Sequence, residues 1–244
     1  MPRPRRLILL LVSVAVLLVV AGVAGWWFLI RDDAPSEADI AEAGETLESG
    51  DGSGDDGTSG GLDGTWTVDG SIGSFDDFSG TWAGYRAREE LASIGANTAV
   101  GRTPDVTGSM EVDGDTVTSV EVEVDLTTLE SDEGLRDRAL ASRGLEHDRF
   151  PTATFTLAEP LTVPEGIDSG EQVGTTATGA LTLHGVTRDV TVDVEAQLDG
   201  DRAAVVGSAP IRLGDFDIEP PSGLSVLSVE DDATFEFQIF FTRA

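Results

Sequence analysis

Cysteine is absent from the 244 residues. That excludes a disulfide framework, a thiolate nucleophile, a zinc site built on cysteine and a lipid-bearing cysteine anchor. Lysine is absent too: the 15 basic side chains are all arginine, against 45 acidic ones, for a formal net charge of −30. A chain this acidic has no basic footprint for nucleic acid, so no nucleic-acid partner is expected. The charge bears on solubility and surfaces rather than on fold. Histidine is scarce, with only His147 and His184. Lying 37 residues apart and lacking a third soft ligand, they make no metal-binding pattern. No Gly-x-Ser-x-Gly motif accompanies them, and a catalytic histidine needs a nucleophile and an orienting partner. Both are read as turn or structural histidines. No catalytic residue, metal or cofactor is assigned, and the chain is not expected to be an enzyme.

Only one long hydrophobic run occurs. From Leu7 to Ile30 the chain is apolar apart from Ser13, a span of 24 residues. That length crosses a hydrocarbon core with some tilt. Arg3, Arg5 and Arg6 precede it, so the positive-inside rule leaves the N-terminus cytoplasmic, and Trp26 and Trp27 sit where an interfacial belt would lie. A cleaved signal peptide is the alternative, with Ala21 to Gly25 as a weak cleavage site. Both readings export everything after Arg31. Residues 1–31 are therefore expected to form a basic tip and a transmembrane anchor or signal peptide, with the rest extracytoplasmic.

Residues 32–63 carry eleven acidic side chains and no basic one, and Ile40, Leu47 and Leu62 are their only large apolar residues. Such a stretch is expected to remain a disordered, flexible linker, because it has little surface to bury against its ordering entropy. A short helix around Ala38 to Leu47 is compatible with its pattern. The run GDGSGDDG lacks the twelfth-position glutamate and flanking helices of a calcium loop.

From residue 64 onward the pattern alternates with period two. TSVEVEVDL puts Val120, Val122, Val124 and Leu126 on one face, and TFEFQIFF does the same for Phe235, Phe237, Ile239 and Phe241. TFTL pairs Phe155 with Leu157. Shorter strands fit Thr65–Asp69, Gly80–Arg88, Asp105–Val112 and Arg202–Leu213. Asp113-Gly114-Asp115 and Asp199-Gly200-Asp201 signal tight hairpin turns. One helix is expected, from Ser131 to Arg143, capped by Ser131 or Asp132 and ended by Gly144. In GALTLHGVTRDVTVDV the strands Thr178–Leu183 and Thr187–Ala196 flank a bend at His184-Gly185. Leu181 and Leu183 then share a face with Val190, Val192 and Val194 across the hairpin. An all-β fold follows: about eight antiparallel strands and one short helix, arranged as a closed barrel or a sandwich. In a barrel the apolar rows turn inward, and the interior is either packed or able to hold one small ligand.

The segment LRDRALASRGLEHDRFPTATFTL, the hairpin GALTLHGVT and the opening GTWTVDGSIGSFDDFSG together resemble the YceI-like family. Those are exported bacterial lipocalin-like barrels that bind polyisoprenoid lipids. The chain departs from the family pattern at Ser71-Ile72-Gly73-Ser74, where a histidine is usual, and at Gly144-Leu145-Glu146-His147-Asp148. The insertion near Tyr85–Arg102 is similar to an actinobacterial, membrane-anchored subgroup. The resemblance implies an antiparallel eight-stranded lipocalin-like barrel over residues 64–244 with a ligand cavity. It makes Trp82, Phe155, Leu181, Leu183, Val192, Val194, Phe235 and Phe237 the expected apolar lining; sequence parity alone leaves a filled core open. Arg136 and Arg138 are candidates for contact with a lipid head group, or else form satisfied surface pairs. The expected function is an extracytoplasmic carrier for a long apolar, isoprenoid-like lipid. The alternative is a cell-envelope stress or interaction module using an empty barrel as a scaffold. Nothing in the sequence sets the oligomeric state.

Overall fold

The computed structural model describes residues 34–49, 61–92, 95–220 and 226–244. The expected membrane segment from Leu7 to Ile30 lies outside them, and among the described residues no helix is long and apolar enough to cross a membrane.

The described chain runs as α1 (Ile40–Ser49), β1 (Gly64–Val68), β2 (Trp82–Leu91), β3 (Gly95–Thr103), β4 (Val106–Asp113) and β5 (Thr116–Asp125). There follow β6 (Glu130–Ser131), α2 (Gly134–Ala139), β7 (Thr152–Leu157), β8 (Leu161–Thr162), β9 (Val173–Leu183), β10 (Val186–Asp199), β11 (Arg202–Arg212) and β12 (Val226–Arg243). Eight of the strands pair antiparallel in the order β1-β4-β5-β7-β9-β10-β11-β12, and β12 pairs back with β1 through Phe241 opposite Val68. The ring is closed, which removes the sheet edges an open arrangement would leave. β12 is long enough to serve two partners on one edge. Its last residues hold β1, while the stretch up to Gln238 holds β2, which leads on to β3 and β6.

Alternation sets the register. Val120, Val122, Val124 and Leu126 face the interior, as do Phe235, Phe237, Ile239 and Phe241. The turns are as short as the sequence implies: Asp113 pairs with Thr116, Asp199 with Arg202 and Leu183 with Val186. In the last of these, His184 and Gly185 both take positive φ, 52° and 74°, the two-residue bend whose twist matches paired strands.

Two stretches break the alternation, and both have the same cause. β11 reads AAVVGSAPI and is buried on both faces near Ala203 and Ala204; Phe240 and Phe241 of β12 are both buried as well. The outer face here is covered by α1, whose Ile40, Ala43 and Leu47 form an i, i+3, i+7 stripe against Ala204, Val206, Phe240 and Ile72. Asp39 caps the helix, its carboxylate accepting from the Ala41 N–H at 2.7 Å. Gly44 lets the helix approach the Gln197 side chain, which a Cβ there would strike.

Residues 34–49 of the expected flexible linker are therefore ordered, with the helix that its pattern allowed, while residues 32–33 and 50–60 lie outside the described ones. Three apolar side chains suffice for docking because the barrel offers an apolar strip beneath them. The end of the stretch is fixed as well: the Trp66 Nε1–H donates to the Leu62 carbonyl at 2.9 Å.

Ahead of α1, residues 34–39 form a strap across the outer wall. Arg86 donates to the Pro35 carbonyl at 2.7 Å and Arg102 donates to that of Ser36. Both arginines also engage Glu236, whose side chain is 2 % exposed, with Arg102 Nη2 2.9 Å from Oε1 and Arg86 Nε 3.3 Å from Oε2.

Candidate functional site

The inward rows do not meet. They enclose a cavity of about 780 Å³, within the range of small-molecule sites. Phe155, Leu181, Leu183, Val192, Val194, Phe235 and Phe237 all line it. Its walls are almost wholly aliphatic and aromatic. Such a void leaves its lining without dispersion partners on one side, so a folded chain retains it at a cost in stability. Among the lining residues only Glu133, Leu135 and Arg143 are exposed, all within or beside α2. At the opposite end Val112, Ile167, Leu198 and Phe241 are buried. Access is therefore on the α2 side.

Trp82 does not line the cavity, which corrects the expectation for it. On β2 the inward row is Ala83, Tyr85, Ala87 and Glu89, and Trp82 has the opposite parity. It is nevertheless buried, because the strap and Arg102 cover the outer wall: the Arg102 guanidinium lies 3.7 Å from its ring centroid. The expectation took a large aromatic as inward on the premise that the outer face is wet. Burial lowers the Arg102 pKa from the ordinary guanidinium value, and its bond to Glu236 offsets this only in part.

α2 carries one of the two predicted head-group arginines into the wall. Arg136 lines the cavity, whereas Arg138 is exposed and does not. Two residues apart on a helix, they lie on nearly opposite faces; the expectation for Arg138 is corrected accordingly. Gly134 follows Glu133, which occupies the position before the first turn, so the cap is not Ser131 or Asp132. The Ser131 hydroxyl instead donates to Asp137 at 2.6 Å. After Ala139 the coil widens to a π-turn over Leu140–Gly144.

Arg136 is not free. Its Nη2 lies 2.5 Å from Glu89 Oε1 and its Nη1 is hydrogen-bonded to Asp132. Burial pulls its pKa down, but Glu89 and then Asp132 outweigh this and hold it above the ordinary value. Tyr85 stands on the same inward row as Glu89. Its hydroxyl is buried without a hydrogen-bond partner among the described residues. Burial first, then the charges of Asp137, Glu89 and Asp132 against that of Arg136, raise its pKa well above the usual phenol value, so it is a neutral donor. Sequence reasoning missed Tyr85 and Glu89. The usable signal was parity, since both alternate with Ala83 and Ala87 on one strand.

His184 serves the scaffold. Its Nδ1 is 3.1 Å from the Phe216 carbonyl, its Nε2 is 3.3 Å from Glu146 Oε2, and its ring packs edge-on against Phe150 at 4.5 Å. It thus joins three loops at the α2 end of the barrel. No nucleophile is hydrogen-bonded to it among the described residues. Likewise, no cluster of three or more potential metal ligands occurs among them.

The chain is 30% identical over 151 residues to a UPF0312 protein of Vibrio parahaemolyticus, the match covering 58% of this chain and 76% of that one. A UPF0312 protein of Pseudomonas aeruginosa is 32% identical over 149 residues, covering 57% and 74%. Among solved structures, a polyisoprenoid binding domain from Saccharophagus degradans, implicated in plant cell wall breakdown, superimposes with a TM-score of 0.55 at 15% identity. That match covers 73% of this chain and 98% of that domain. Burkholderia cenocepacia BcnA does so with a TM-score of 0.50 at 19% identity, covering 65% and 95%. These two likenesses concern the fold. The family model for the YceI-like domain matches residues 66–241, which include the hairpin around His184 and every strand of the closed ring at least in part, and the chain belongs to that family.

Proposed function

We propose that this protein binds a long apolar lipid of the polyisoprenoid kind inside its barrel and carries or stores it outside the cytoplasm, without catalysis. The observation that carries the reading is the apolar cavity of about 780 Å³, reached from the α2 side. Burial of each lipid methylene contributes about 0.8 kcal/mol, so a long chain binds with few polar contacts. The polyisoprenoid-binding neighbour with the same fold supports the ligand class.

The membrane is the second part of the reading. The run from Leu7 to Ile30 anchors the chain, with the N-terminus cytoplasmic and the barrel outside. Three residues, 31–33, separate that run from the strap, and each spans at most about 3.3–3.6 Å. The barrel is therefore held against the bilayer rather than lifted off it on a spacer.

Native mass spectrometry of the full chain, extracted from membranes in mild detergent, tests the ligand. The expected result is a bound species with the mass of a polyprenyl lipid that disappears after organic extraction. A reproducibly lipid-free protein that also fails to take up polyprenol refutes the carrier reading and favours the scaffold alternative. Protease accessibility in spheroplasts tests the topology: the barrel is expected to be cut from outside.

A further inference from the structure

The charged residues that line the cavity are two acids, Glu89 and Glu133, and two bases, Arg136 and Arg143. All four lie on β2 or in and beside α2, so the polar end of the cavity is its entrance. Arg136 is held by Glu89 and Asp132. Asp137, the next residue, faces the same cluster through Ser131. Arg136 thus has two carboxylates bonded to it and a third one hydroxyl away, and this buried arginine has no uncompensated charge for a phosphate. An anionic group placed here would also meet Glu89, which is 5 % exposed, in a medium where like charges repel more strongly than in water.

Among the described residues the same wall holds two hydrogen-bond donors without acceptors, while the Arg102 Nε–H lacks one on the outer face. One is the Tyr85 hydroxyl and the other is the Arg136 Nε–H; both are buried. A buried donor left unpaired is costly, and native structures rarely keep one without a reason. Both residues line the cavity, and the charge on Arg136 acts on the Tyr85 phenol. A single uncharged oxygen offers two lone pairs and brings no charge into the wall.

Resting on the lipid-binding reading, we propose that the entrance selects long apolar chains ending in an uncharged oxygen, an alcohol or a carbonyl, over the same chains ending in phosphate or pyrophosphate. Tyr85 is the residue that reads that oxygen. Glu89 is the residue that refuses the anion, by engaging Arg136.

The test is competition against a fluorescent apolar probe bound to the full chain in detergent. Three competitors share one polyprenyl chain length: the hydrocarbon, the alcohol and the pyrophosphate. The alcohol is expected to bind at least about tenfold more tightly than the pyrophosphate. Tyr85→Phe is expected to weaken the alcohol about five- to tenfold, the size of one net hydrogen bond, and to leave the hydrocarbon unchanged. Glu89→Gln keeps the shape of the wall and frees Arg136, so it is expected to tighten the pyrophosphate. Equal or tighter binding of the pyrophosphate by the wild-type chain, with loss of that binding in Arg143→Gln, overturns the proposal while leaving the lipid reading intact. So does an equal loss of alcohol and hydrocarbon in Tyr85→Phe. Failure of all three competitors to displace the probe overturns both readings together.

Discussion

The barrel wall carries a buried glutamate–arginine cluster on each of its faces, and they do different things. Outside, Glu236 holds Arg86 and Arg102, and the ends of both arginines reach the carbonyls of Pro35 and Ser36. That cluster is covered by the chain itself, with Trp82 under one guanidinium, although the Arg102 Nε–H has no acceptor among the described residues. Inside, Glu89 holds Arg136, but the Tyr85 hydroxyl on the same strand has no partner among the described residues and the three residues face a cavity. A pair of the same two residue types fastens a segment in one place and dresses a ligand entrance in the other. What separates them is what covers them: the strap lays two backbone oxygens over the outer cluster, whereas the inner one, with Asp132 and the Ser131 hydroxyl on Arg136, opens on the cavity.

The largest effect is expected where the outer cluster loses its acid. Glu236→Ala leaves Arg102, 3 % exposed, without counter-charge in the wall, and Arg86 with only the exposed Glu37. Removing one partner of a buried pair costs about 3–5 kcal/mol. A urea melt of the full chain is expected to shift its midpoint accordingly, and limited proteolysis to cut within residues 34–49. A midpoint within error of the wild type would mean that the outer cluster holds nothing. Next comes Leu47→Ala, which removes a fully buried side chain between α1 and Phe240. A loss of about 2–4 kcal/mol is expected. The same proteolytic fragment should appear while cavity-bound probe is retained. Release of the probe would show that the two faces of the wall are coupled.

The inner face was readable in the sequence because it obeys one rule. Val120, Val122, Val124, Phe155, Leu181, Val192 and Phe235 alternate with polar residues, and alternation places them in the tube whatever the neighbours do. The outer face was not readable, since what covers it is remote in the chain. Trp82, Arg86 and Arg102 are exterior by parity, yet covered by a strap at least 43 residues earlier, and acidic composition argued against order in that strap. β3 was missed for a related reason. GANTAVGRT has few large apolar residues to alternate, and its second half is buried on both faces once the strap is in place. Whether the tube is hollow depends on side-chain volumes summed over eight strands, which no local pattern carries. The inner polar cluster joins Glu89 to Arg136, 47 residues apart, and only the closure of the barrel brings them together.

Filling the cavity separates the two faces from the other side. Leu183→Trp places a larger side chain in the lining without touching Glu236 or α1. Probe binding is expected to fall at least about tenfold, equivalent to about 1.4 kcal/mol, while the urea midpoint of the lipid-free chain stays within about 1 kcal/mol of the wild type. Undiminished lipid uptake would place the ligand somewhere other than the tube.

The smallest effect concerns the seam that closes the ring. Asp69, just past β1, accepts from the Ser71 N–H at 2.8 Å, from the Ser71 hydroxyl at 2.6 Å and from the Thr242 hydroxyl of β12 at 2.8 Å. Partial burial raises its pKa, but the bonds from Ser71 and Thr242, with a contribution from Arg202, outweigh that and hold it below the usual aspartate value. A depressed folded-state pKa means stability that is present above the unfolded-state pKa, about 3.9, and is lost as pH falls through the lower folded value. Asp69→Asn removes that contribution. At pH 7 the variant is expected to be less stable by less than about 1 kcal/mol, since the carboxylate is only partly buried and is screened by solvent. Thermal melts from pH 7 down to pH 3 should show the gap between wild type and variant constant at first. It should then narrow below about pH 4, as the wild-type carboxyl takes up its proton and comes to resemble the amide. A gap that stays constant to pH 3 would mean that ionisation of Asp69 contributes nothing to closure, and no gap even at pH 7 would mean that the packing of Phe240 and Phe241 holds the seam without it.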